Sequence, residues 1–155
     1  MAYTPSTLTT QIKEAMMTAL ANLPATGNGT EIQAIVGSGQ DAFEDYPVIR
    51  VIPSGIERDI DADTGYRDYK MNYVISVYLD MGDAEIPDEE IIATMCEIID
   101  NVVERLDETD WLPAVDGLDI MGTTTTSTMD TIATKNGTAL YCDLIYPVSL
   151  RTSIA

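Results

Sequence analysis

Residues 86–111, IPDEEIIATMCEIIDNVVERLDETDW, decide the architecture, because they read as one amphipathic helix that needs a sheet to cover. Ile91, Ile92, Met95, Cys96, Ile99, Val102, Val103 and Leu106 recur at steps of three and four, the spacing of a single helix face. Glu90, Thr94, Glu97, Asn101, Glu104, Arg105 and Asp107 take the opposite side, and Ile98 alone breaks the pattern. Pro87 suits the helix entrance, Asp88 the cap, and Glu89 and Glu90 the first turn, where the helix dipole favours anions. A second amphipathic helix is expected earlier in the chain. Its apolar positions are Leu8, Ile12, Ala15, Met16, Ala19, Leu20 and Leu23, behind a Ser6 or Thr7 cap and before Pro24.

The rest reads as strands. Residues 31–36 form a short one, with Ile32, Ala34 and Val36 on one face, and residues 48–52 form another between Pro47 and Pro53. Residues 69–79 alternate most clearly, so Tyr69, Met71, Tyr73, Ile75, Val77 and Leu79 belong to the core. If these last two strands pair antiparallel, residues 53–68 are a protruding loop longer than a tight hairpin needs. The final third is a hairpin with Asn136-Gly137 at a type I′ turn. That register sets Ala133 opposite Leu140, Thr131 opposite Cys142, Met129 opposite Leu144, Thr125 opposite Val148, and Asp130 opposite Asp143. Leu140, Cys142, Leu144, Tyr146, Val148 and Leu150 then face inward against a threonine-rich partner, residues 122–134, while Pro147 marks an edge or a bulge. The expected fold is α+β, a single domain over residues 1–155. A mainly antiparallel sheet of about five strands packs against the two helices, in the order α-β-β-β-α-β-β.

Charge narrows the functions. With 26 acidic against 8 basic residues, net −18, and the basic ones scattered, the chain does not fit a conventional nucleic-acid binder and would be repelled by an anionic membrane. The start of the chain lacks the basic and apolar regions of a signal peptide, and no segment is apolar for long enough to span a bilayer, which points to a cytosol-like compartment. Cys96 and Cys142 are then expected to be reduced and buried, and the sequons at Asn28 and Asn136 carry no meaning. There is no histidine, which removes the usual general base, the commonest zinc ligand and every Ser-His or Cys-His dyad. Gly37-Ser38-Gly39 is too short for a phosphate loop, and no helix pattern follows it. Asp59, Asp61 and Asp63 start like a calcium loop, but Thr64 stands where the sharp-turn glycine belongs and Lys70 where the closing glutamate belongs. A solvated acidic loop is the better reading. No metal, cofactor or enzymatic activity is expected.

Taken together, the Tyr46-Pro47-Val48-Ile49-Arg50-Val51-Ile52-Pro53 run, the strand over residues 69–79 and the acidic amphipathic helix resemble the tail terminator (tail completion) family of long-tailed double-stranded DNA bacteriophages. The resemblance rests on pattern and order from about Leu8 to Leu150. It implies a structural virion protein that closes into a hexameric ring on the tail tube. The ring stops tube polymerisation and offers a joining surface to a head-tail connector or neck protein. It implies residence in the virion neck, assembly in the host cytoplasm, and DNA that passes through without specific binding. Ser54, Ile56, Arg58, Tyr66 and Arg67, with Thr123, Thr125 and Ser127 on the threonine-rich strand, are the expected contact residues. The alternatives are another connector, head-completion or tail-tube subunit, or a small acidic calcium-dependent binding module.

Overall fold

The fold is described from a computed structural model. It describes residues 5–37, 43, 45–61, 65–120, 122, 124–135 and 137–153, with the backbone alone for residues 5, 6 and 59–61. The elements run α1 (Pro5–Leu20), β1 (Ala34–Val36), β2 (Val48–Asp61), β3 (Tyr66–Asp80), α2 (Glu89–Asp107), a 3-10 turn (Thr109–Trp111), β4 (Leu118–Asp119), β5 (Thr125–Thr126), β6 (Asp130–Thr134) and β7 (Gly137–Ser153). The fold is α+β, a mixed sheet of seven strands carrying two helices.

β7 organises the sheet. Along one side it pairs antiparallel with the whole of β3, from Tyr66↔Ser153 to Asp80↔Ala139. Its other side is shared by β6, β5 and β4 in succession. β2 lies antiparallel on the far side of β3, and β1 adds to β2 in parallel. Alternation assigns the faces. Tyr69, Met71, Tyr73, Ile75, Val77 and Leu79 are all buried, as are Leu140, Cys142, Leu144, Tyr146, Val148 and Leu150. Both helices cover that face. The Tyr73 hydroxyl donates to the Thr9 carbonyl of α1 at 2.9 Å, and that of its strand partner Tyr146 donates to Asp107 of α2 at 2.8 Å.

Leu8, Ile12, Met16 and Leu20 of α1 are fully buried, although the helix begins at Pro5, ahead of the expected cap. α2 begins as its sequence demands, with the Asp88 carboxylate accepting from the Ile91 amide at 2.8 Å. At the other end the Trp111 indole donates to the Leu106 carbonyl, one of the acceptors a helix terminus leaves open.

Five expectations are corrected. The buried line of α2 is Thr94, Met95, Ile98, Val102 and Leu106, so Ile98 is core, while Ile92 and Cys96 are exposed. Thr94 explains the rotation. Its hydroxyl donates to the Glu90 carbonyl and accepts from the Asn28 amide at 3.0 Å, while Glu97 accepts from the Gly27 amide, so the loop after α1 fixes which way α2 turns. The supposed loop over residues 53–68 is mostly strand. β2 passes through Pro53 with a register shift before Gly55 and continues to Asp61, because cross-strand partners such as Arg58 with Tyr69 stabilise a polar strand that has little core of its own.

The last hairpin closes with Thr134 opposite Gly137, so Gly137 is in the strand; Asn136 lies outside the described residues. Ala133 therefore faces Thr138, and Asp130 faces Tyr141 rather than Asp143. Gly137 is needed elsewhere. A Cβ there would lie 2.2 Å from the Gly82 carbonyl oxygen, and that same oxygen accepts from the Thr138 amide. The threonine-rich partner is broken into three short pieces, with Thr125 opposite Ile145, which raises the strand number to seven. Finally, only Ala34–Val36 of residues 31–36 is strand. Pro147 sits between the stretches of β7 paired by β5 and by β4, a local edge among the described residues.

Candidate functional site

One end of the sheet carries a cluster of cations. Past Met71 the helix-side face carries Tyr69 and Arg67 on β3, with Ile56 and Arg58 opposite on β2 and Leu150 and Thr152 on β7. The Arg58 guanidinium lies 6.0 Å from the centre of the Tyr69 ring, and Arg67 Nη1 donates to the Tyr69 hydroxyl at 3.4 Å. Tyr69 is thus flanked by two cations. Neither arginine makes an ion pair among the described residues, and the buried Arg67 Nε has no hydrogen-bond partner there. A cleft of about 640 Å³ adjoins this shelf, lined by Arg58, Tyr69, Lys70, Leu118, Asp119 and Leu150 among others.

The opposite face of the same strands is neutralised from within. Arg151 grips Asp68 with two bonds of 2.7 and 3.0 Å, and its hydrogen bond holds the Asp68 carboxyl below the usual carboxylate range. Lys70 lies 3.9 Å from Glu57, and Arg151 also sits 5.2 Å from the centre of the Tyr66 ring. Four of the eight basic residues, Arg58, Arg67, Lys70 and Arg151, therefore meet at one end of the sheet. Their scattering in sequence hid this.

α2 is the electrical opposite. From Asp88 to Asp110 nine carboxylates stand against Arg105, which is engaged by Glu108 and Asp110. Asp100 and Glu104 are exposed and make no hydrogen bond or ion pair among the described residues. Beside them Ile92 and Cys96 face outward, and Ile99 and Val103 are half-buried. Ile99 and Val103 line a groove of about 580 Å³ with Thr124, Thr126 and Leu144.

The expected contact residues divide into two patches. Arg58 and Arg67 belong to the shelf, with Ile56 packed at its inner margin and Tyr66 on the reverse face. Ser54 is exposed at the bulge and donates to the Asn72 carbonyl. Thr125 lies in β5 on the uncovered face of the sheet, in a row with Ile145, Val74 and Ile52. Ser127 is tied to Asp143 by backbone and hydroxyl hydrogen bonds, and Thr123 lies outside the described residues. The apolar row was missed, although Val74 and Tyr78 had already broken the polar side of the β3 alternation. Further along that face Tyr78 packs against Phe43 and Tyr141, with Arg50 over its ring.

For the calcium candidate, Asp59 and Asp61 lie on β2 and Asp63 falls outside the described residues; no cluster of metal-binding side chains occurs among the described ones. Burial pushes the Cys142 thiol up, which keeps it protonated. No described helix is long and apolar enough to cross a membrane. No family model matches the sequence, and no curated protein matches it.

Proposed function

We propose that the protein is a tail terminator of a long-tailed bacteriophage, a structural subunit that closes into a sixfold ring on the end of the tail tube. The observation that supports the reading is the long β2-β3-β7 sheet with four basic residues gathered at one end, on a chain whose sequence pattern resembles that family's. Such a sheet offers two unlike surfaces on one chain. Heterologous contacts that repeat around a closed axis need that asymmetry. The ring stops tube growth and presents a face to the neck or head connector, within the virion and after assembly in the host cytoplasm. The acidic excess supports passage of the genome, because carboxylates along a lumen repel phosphates rather than bind them.

The test mixes purified protein with polymerising cognate tube subunits and images the products by negative-stain electron microscopy. Capped ends and shortened tubes are expected. Tubes of unchanged length with bare ends would remove the reading, and extended tubes built from this chain alone would make it a tube subunit instead.

A further inference from the structure

We infer that the Arg58–Tyr69–Arg67 shelf of one copy receives the outer flank of α2 of a neighbouring copy, with Asp100 and Glu104 meeting the two guanidiniums. This rests on the ring reading and names the surfaces that close the ring. Three observations converge on it. First, the two arginines are the cations of the sheet end that no carboxylate claims among the described residues, whereas Lys70 and Arg151 are already engaged by Glu57 and Asp68. The third described carboxylate at the cleft, Asp119, accepts from the Ile120 amide at 2.8 Å. Second, Asp100 and Glu104 are exposed carboxylates of α2 with no partner among the described residues, as is Glu89 in its first turn, and they flank an apolar strip that includes Ile92 and Ile99. Third, the cleft beside Arg58 carries some apolar surface to match, since the half-buried Leu118 lines it.

A single copy keeps these surfaces as separate patches of one chain, so the match is satisfied between molecules. Guanidiniums suit the task because they present planar, paired donors to carboxylates while their ring contacts with tyrosine persist. Because the contact joins a shelf to a different patch on the next copy, it is heterologous and propagates around a ring.

Sedimentation velocity over a wide concentration range, at low and high salt, tests the contact. Arg58→Glu with Arg67→Glu, and separately Asp100→Lys with Glu104→Lys, should each weaken self-association by about tenfold or more. High salt should weaken the wild type in the same direction. The fourfold variant that carries all four reversals should restore association, which a folding defect would not do. Unchanged association in both double variants, or no recovery in the fourfold one, overturns the inference. A wild type that associates only on tube ends is read instead by capping with the same variants. Arginine reversals that abolish capping while ring mass is unchanged would assign the shelf to the tube subunit and overturn the contact between copies. Reversal and rescue in a protein that never caps tubes would sink the tail reading and leave the contact standing. A chain that stays monomeric and ignores tubes overturns both.

Discussion

The two ends of β3 live in different surroundings. From Ile75 to Leu79 every residue is buried, whereas from Tyr66 to Lys70 only Tyr69 is. At the first end helices cover one face and the rings of Phe43, Tyr78 and Tyr141 thicken the other. At the second end the strand is held by its neighbours β2 and β7 and by exposed charge pairs that solvent screens. Stability is concentrated at one end of a single strand and available surface at the other. The element that anchors the core therefore also positions the charged groups of the opposite end.

That contrast can be broken most directly by truncation at each end. Ile75→Ala should cost about 2–5 kcal/mol in denaturant unfolding, because the fully buried side chain leaves a cavity. Tyr66→Ala, which removes a ring 41% exposed, should cost less than about 1 kcal/mol. Equal losses would refute the division. Gly117 probes the seam between the ends. Its φ is +82° and a Cβ would lie 2.2 Å from the Arg151 carbonyl oxygen, so Gly117→Ala should destabilise by about 1–3 kcal/mol and loosen β4 from β7. Hydrogen exchange at the Arg151 amide, which donates to the Gly117 carbonyl, should rise in that variant; unchanged protection would contradict it.

The smallest effect is read in alkali. Burial raises the ionisation of Tyr73 and Tyr146 far above the ordinary tyrosine value, and the Asp107 carboxylate adds to the shift of Tyr146. A folded value above the unfolded one means full stability below pH about 10 and progressive loss as pH rises beyond it. Tyr73→Phe should shallow that loss in unfolding curves collected across the range. A variant that declines as steeply as the wild type would show that other groups govern it.

Most of the covered end was legible in sequence. The alternation of residues 69–79, the run Leu140 to Leu150 and the Asp88 cap each follow from local chemistry, and each stands in the structure. The rotation of α2 did not follow, because its face is chosen by contacts of Thr94 and Glu97 with Asn28 and Gly27, in a loop some seventy residues away. A nine-position apolar set from Ile91 to Leu106 is wider than one buried stripe, so more than one rotation was open. The open end was legible only as residues worth watching. Arg58 and Arg67 were singled out, but as parts of a loop, since Ile-Glu-Arg-Asp-Ile-Asp alternates too weakly to declare a strand without its partners. The turn at Lys135 was missed because the Asn-Gly pair also serves a distant backbone contact, Gly137 against Gly82.

β7 alone joins β3 to β4, β5 and β6. A nascent chain whose residues 137–153 are still inside the ribosome therefore has its central strand open along one side and three segments with nothing to pair against. The pairing of β3 with β7 is also distant in sequence, which slows its formation. Emergence of residues 137–153 thus acts as a timer for the fold: until then β3 is paired along one side only and the short strands have no partner.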